Sequence, residues 1–271
     1  MLARMFAGFL ILLSLSFAVT VVSPVKTEVG DGDMIDVGAI GPGQTISIEI
    51  NPIVKEGGIH DIGGTYDLAI AEDLPRDWTS EKSKLYGNPL QVRITADPDA
   101  PEGNYSARVT VIDEFNGEEL GNVSFTVKVR ITWDVMDFNV APSSMTVGPE
   151  QPARFEITIK NKGSTSDVFE ISSKGSKRWE FKKPVFVPGK SSKTIYYDIA
   201  GGEEETYLTT ISVVSLASSN IADEKNVTLF IKPGLLGDYV ATNNGVTVFP
   251  IFQAPIYSLA GILSNIFSGT N

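Results

Sequence analysis

The chain of 271 residues contains no cysteine, so it has no disulfide, no thiolate metal ligand and no thiol nucleophile. Its single histidine, His60, excludes a histidine-rich metal cluster and would have to serve any Ser-His-Asp arrangement. Basic residues are scarce: 22 Lys and Arg stand against 33 Asp and Glu, a net charge of -11. That deficit argues against a nucleic-acid partner, because binding a phosphate backbone needs a basic face. There is no Gly-x-Ser-x-Gly elbow and no glycine-rich phosphate loop. A catalytic carboxylate pair leaves no local signature, and none of the acids is singled out as one. The expectation is a protein that is not an enzyme, with no catalytic residue, no cofactor and no metal-binding set. With 42% hydrophobic and 20% charged residues it is still the composition of a folded globular chain.

Charge is absent from two stretches. Met5–Val25, between Arg4 and Lys26, is an uncharged run of 21 residues that includes Phe9-Leu10-Ile11-Leu12-Leu13. A bilayer core takes about 20 helical residues, so the run is long enough to span one. It equally suits a signal peptide, because Ser16-Phe17-Ala18 supplies small side chains three residues and one residue before a cleavage point. Residues 1–25 are therefore a signal peptide or a transmembrane anchor. Both place the body of the chain outside the cytoplasm, with Arg4 inside.

The second uncharged stretch runs from Val240 to the end. Asn243-Asn244-Gly245 signals a turn, Val246-Thr247-Val248-Phe249 a short strand, and Pro255 the first turn of a helix. Ile256, Leu259, Leu263, Ile266 and Phe267 recur at helical spacing, opposite Ser258, Gly261, Ser264 and Ser268. A solvated helix would carry charge on that second face. The five apolar residues are candidates for contact with a membrane or a partner. The helix could lie in the membrane interface, dock on a partner's transmembrane helices, or pack as a strap on the preceding domain. Residues 234–271 form this apolar tail.

Between the two stretches the pattern is that of strands. Ile46, Ile48 and Ile50 alternate with polar residues, as do Phe155, Ile157 and Ile159, and Val123, Phe125, Val127, Val129 and Ile131. Alternation of this kind buries one face of a strand and wets the other. The landmarks then repeat: Gly43-Gln44 with Glu150-Gln151, Trp78 with Trp179, Tyr105 with Tyr207, Asn122 with Asn226, at separations of 101 to 107 residues. The reading is an all-β chain of two tandem immunoglobulin-like sandwiches, 26–131 and 132–233, each of about seven strands. Each tryptophan is expected to plug a core that lacks a disulfide.

Asp97-Pro98-Asp99-Ala100-Pro101-Glu102-Gly103-Asn104-Tyr105, followed by Ser106-Ala107-Arg108-Val109-Thr110-Val111, resembles the turn-and-strand signature of NEW3-type modules. Asn161-Lys162-Gly163 leading to Asp167-Val168-Phe169 is similar to a motif those modules share with CARDB adhesion-type modules. Such immunoglobulin-like domains accompany some glycosidases and are common on archaeal surfaces. The second half departs from the pattern, with Gly201-Gly202-Glu203-Glu204-Glu205 where the Ala-Pro-x-Gly turn would stand. The resemblance implies a non-catalytic spacer, adhesion or interaction module and names no ligand.

Three sequons, at Asn104, Asn122 and Asn226, are candidates for glycosylation in an exported chain. Asp31-Gly32-Asp33 and Asp97-Pro98-Asp99 offer too few oxygens for calcium and read as turns. The functional expectation is a structural or interaction protein associated with the membrane. Its partners would be membrane proteins or other cell-envelope proteins, in one version as an accessory subunit of an integral membrane complex. The rival is a carbohydrate-binding or adhesion module, with Trp133, Tyr196 and Tyr197 as the exposed aromatics a sugar platform would need. Tyr196 and Tyr197 are adjacent, so they cannot share one strand face.

Overall fold

The structure, a computed structural model, describes residues 18–56, 62–113, 120–175 and 179–232. Every element in them is a β-strand. The first half runs β1 (Val19–Ser23), β2 (Thr27–Val29), β3 (Met34–Ile40), β4 (Thr45–Asn51), β5 (Ile53–Val54), β6 (Gly64–Thr65), β7 (Leu68–Glu72), β8 (Thr79–Glu81), β9 (Leu90–Thr95), β10 (Gly103–Ile112) and β11 (Val123–Ile131). The second runs β12 (Met136–Ala141), β13 (Ser144–Val147), β14 (Ala153–Asn161), β15 (Asp167–Lys174), β16 (Lys182–Val187), β17 (Ser192–Ile199), β18 (Thr206–Ser215) and β19 (Ala222–Ile231).

Strand order shows the same plan in both halves. Sheet β2-β1-β4-β9-β8 packs on β3-β11-β10-β7, and sheet β12-β14-β17 on β13-β19-β18-β15-β16. Pairing is antiparallel except at two equivalent places, where β3 lies parallel to β11 and β13 parallel to β19. This is an immunoglobulin-like β-sandwich arrangement, in which an early strand leaves one sheet to pair with the last strand of the other. The alternation in the sequence is the alternation of burial. Ile46, Ile48 and Ile50 point inward from β4, and Phe155, Ile157 and Ile159 from β14, each no more than 1% exposed. Burying one such side chain stabilises the fold by about 1.5–3 kcal/mol.

Two separate cores result, one drawn from Val19 to Ile131 and the other from Val135 to Ile231. Each contains a tryptophan against the tyrosine with which it repeats. Trp78 meets Tyr105 at 5.3 Å between ring centroids, and Trp179 meets Tyr207 edge-on at 4.6 Å. Trp78 is buried, while Trp179 is half-buried at the rim of its core. The Tyr105 hydroxyl donates back to the Pro101 carbonyl at 2.9 Å, pinning the start of β10 to the turn before it.

The start of the chain requires a correction. Residues 19–23 were expected to end an uncharged signal or anchor helix, but they form β1, paired with β2 and β4. Val19 and Val21 are fully buried in the first core. An apolar, β-branched strand next to an apolar leader shows no change of composition, so the boundary between them is invisible to a hydrophobicity count. Among the described residues no helix is long and apolar enough to cross a membrane. Residues 1–17 and the tail from 233 onward, with Ile256, Leu259, Leu263, Ile266 and Phe267, lie outside the described residues, as does His60.

Candidate functional site

The most highly organised polar region is the joint between the two halves, and it grows from a repeated turn. Gly41-Pro42-Gly43-Gln44 and Gly148-Pro149-Glu150-Gln151 have the same hydrogen bonds. In each the glutamine N–H donates to the glycine carbonyl at 3.2 Å, and the glutamine side-chain oxygen accepts the glycine N–H, at 2.8 Å for Gln44 and 3.2 Å for Gln151. The third position is left-handed in both, with φ 76° at Gly43 and 58° at Glu150. Glycine adopts that conformation without strain and glutamate does not.

In the first copy the glutamine amide has a second use. Gln44 Nε2 donates to Asp167 Oδ2 of the other half at 2.7 Å, with both residues buried. The same carboxylate oxygen accepts Ser215 Oγ at 2.7 Å, while Oδ1 accepts the Val168 N–H at 2.7 Å. Around this centre the backbones interlock: the Ser164 N–H donates to the Ala39 carbonyl at 2.7 Å. Gly38, at φ 86°, adopts a conformation that other residues disfavour, and a Cβ there would stand 2.2 Å from Ser164 Oγ and force that hydroxyl to turn away. Asn220 Nδ2 reaches the Pro98 carbonyl at 3.3 Å. Glu102 Oε1 accepts the Thr132 hydroxyl and the Trp133 N–H, each at 2.8 Å, and these bonds hold its carboxyl below the usual range. The connecting segment is thus tied down at several points.

Two hollows flank the joint. One, of about 430 Å³, includes Ser47, Arg93, Val168, Phe186 and Leu216 in its lining. Phe186 and Leu216 are more than half exposed there, and Arg93 is engaged by Glu81 at 3.1 Å. The other, of about 650 Å³, is lined by Asp36, Asn104, Ser106, Lys128, Arg130 and Lys190 together with Tyr105 and Ala39.

The structure explains most of the candidate residues as architecture. Asp33 Oδ2 accepts the Gly30 N–H at 2.7 Å and Asp97 Oδ1 the Asp99 N–H at 2.9 Å, both turn chemistry, while Asp31 Oδ1 accepts the Ser124 N–H at 3.0 Å and ties its turn to β11. Asn161, in the motif resembling CARDB modules, is buried: its amide donates to Thr165 and Val187 carbonyls and its oxygen accepts the Gly163 N–H. Among the described residues no three His, Cys, Asp or Glu groups gather where a metal could bind.

The aromatics proposed for a sugar platform are dispersed. Tyr197 is buried beneath the second sheet, its hydroxyl bonded to Ser173 and pushed above its ordinary pKa by burial. Tyr196 faces outward with Arg154 over its ring at 5.4 Å, and Trp133 lies in the connecting segment. The sequon asparagines Asn104, Asn122 and Asn226 are all exposed.

No family model matches the chain, and no curated protein matches it. Solved structures do. One is the CARDB domain of a Pyrococcus furiosus protein in complex with di-metal ions, at 19% identity over 36% of this chain and 91% of that one, with a TM-score of 0.28. Two are titin immunoglobulin tandems. The I9–I11 tandem has 12% identity over 77% of this chain and 70% of that one, with a TM-score of 0.35. A chimeric Z1Z2 pair has 10% identity over 81% and 99%, with a TM-score of 0.32. Overlaps this loose transfer no ligand or partner.

The feature that sequence reasoning missed is the Gln44–Asp167 contact. Both residues sat within segments already noted, but a contact across 123 residues has no local signal.

Proposed function

We propose that the chain is a non-catalytic, exported pair of tandem immunoglobulin-like sandwiches that acts as one stiff interaction unit at the membrane surface. The observation that carries this reading is the buried Gln44–Asp167–Ser215 junction. A flexible spacer would be joined by a solvated linker, whereas here a buried carboxylate of the second half, held by Ser215 and Val168 of its own half, takes a third hydrogen bond from the buried Gln44 amide of the first. A stiff pair holds a surface at a set distance and angle from its point of attachment, as an accessory subunit of a membrane complex requires.

Of the two readings of the leader, the proposal adopts cleavage after Ala18. With 19–23 used as β1, the uncharged run that remains is 5–18. As a helix it would measure about 21 Å, short of a hydrocarbon core of about 30 Å. Cleavage there frees a chain that starts with its first strand. Membrane association would then fall to the apolar tail, 234–271.

The test is extraction from native membranes in mild detergent, followed by size-exclusion chromatography and mass spectrometry. Co-elution with a defined set of integral membrane proteins, lost when 234–271 is deleted, supports the reading. A monomer eluting alone from the soluble fraction overturns it.

A further inference from the structure

We propose that the larger junction groove is a binding site for an acidic polysaccharide. The proposal rests on the fixed junction described above, not on where the protein resides. β10 and β11 set Asn104 opposite Arg130 and Ser106 opposite Lys128, and β11 sets Lys128 beside Asp36 of β3. Lys128 and Arg130 are two residues apart on one strand, so both project from the outer face, about 7 Å apart along it. Lys190 arrives from the second half. Its backbone is in the left-handed region at φ 57°, its N–H donates to the Gly163 carbonyl at 3.0 Å and its Nζ to the Lys162 carbonyl at 2.6 Å. The groove therefore exists as a site only because the two halves are locked.

Its charge runs against that of the protein. Three cations line the groove against one carboxylate, Asp36, whose Oδ1 is taken by the Gly38 N–H at 2.8 Å. Arg130 also feels Glu102, itself bound to Thr132 and Trp133. No ion pair joins Lys128, Arg130 or Lys190 to a carboxylate among the described residues; the same holds for scattered surface lysines such as Lys183 and Lys193, but these three line one concavity. In a chain with 33 acids for 22 bases, three neighbouring unpaired cations around one concavity are a site where an external anion replaces the missing carboxylates.

The rest of the lining selects the kind of anion. Asn104 and Ser106 offer amide and hydroxyl groups suited to sugar hydroxyls. Tyr105, half-buried in the groove wall, packs its ring on Trp78 and spends its hydroxyl on Pro101. A trough of about 650 Å³ with a mixed polar and apolar lining has room for a short run of uronate or sulfated sugar. Asn104 is also a sequon residue, so a glycan there and a groove-bound polymer would compete.

The test uses the full chain, made without N-linked glycans and kept in mild detergent, titrated by calorimetry with oligogalacturonate, neutral dextran and polyglutamate. Expected are binding of oligogalacturonate but not dextran, weakening between 50 and 200 mM salt, and at least a tenfold loss in the K128Q/R130Q variant. The K183Q/K193Q variant removes the same charge elsewhere and should bind as the unmodified chain does, with the melting temperature of each variant showing that it folds. No binding of oligogalacturonate, equal losses in both variants, or tighter binding of polyglutamate overturns the proposal. None of these results bears on whether the protein co-elutes with membrane partners.

Discussion

Replacing Asp167 with alanine deletes an acceptor that three donors share. Gln44 Nε2 and Ser215 Oγ, both at 2.7 Å from Oδ2, belong to residues only 2% exposed, and the Val168 N–H loses its bond to Oδ1. A buried donor left unsatisfied costs about 1–3 kcal/mol. Water entering the space of the lost carboxylate recovers part of this, so the expected loss is about 3–5 kcal/mol. Gln44→Ala should cost about 2–3 kcal/mol, because it removes one of the three donors to the buried Asp167 carboxylate and uncaps the Gly41 N–H. Since each change removes the same contact, the double variant should lose less than the sum, by about 1.5 kcal/mol. Scanning calorimetry should show the two cores melting together in the parent and separately in Asp167→Ala. Small-angle scattering should show a broader distribution of interdomain distances. Additivity within about 0.3 kcal/mol, with unchanged scattering, would refute a stiff joint and leave the bond incidental.

Other consequences can be measured directly. The Tyr66 hydroxyl is fully buried without a hydrogen-bond partner, so Tyr66→Phe should raise stability by about 1 kcal/mol in urea denaturation. Burial, with Asp113 nearby, pushes the pKa of that hydroxyl up to about 12 from 10.0. The unfolded chain loses this proton first, so the contribution is full below pH 10 and fades as the pH rises towards 12; Tyr66→Phe should flatten that fall. Glu150→Gly should stabilise the second half by up to about 1 kcal/mol, relieving a left-handed glutamate in the turn where the first half has Gly43; a lower melting temperature would count against the equivalence of the two turns. A chain begun at Lys26 lacks Val19 and Val21, both 0% exposed, and should lose about 3–5 kcal/mol from the first core. Intact mass spectrometry of the exported protein should give Val19 as the first residue.

What was legible in the sequence and what was not divide along the range of the forces involved. Alternating Ile46, Ile48 and Ile50, or Phe155, Ile157 and Ile159, announces strands because a pleated chain sends successive side chains to opposite faces. The spacing of Trp78 and Tyr105, repeated in Trp179 and Tyr207, announces duplication, and in each half the two rings touch. Turn acids such as Asp33 and Asp97 are satisfied by neighbours two or three residues away, so their role could be read locally. Absences were equally informative: without cysteine and with one histidine, whole classes of chemistry are closed regardless of fold.

Tertiary structure alone decided the rest. It drew Val19–Ser23 out of the apolar leader and into a sheet, because β4 offered an unpaired edge and the core a place for two valines. It turned Gln44 and Asp167, 123 residues apart, into one buried bond. It also brought Lys190 to Lys128 and Arg130, making a cationic groove on an acidic protein. Composition sums charge over the whole surface, while a ligand meets only the few side chains that folding has placed together.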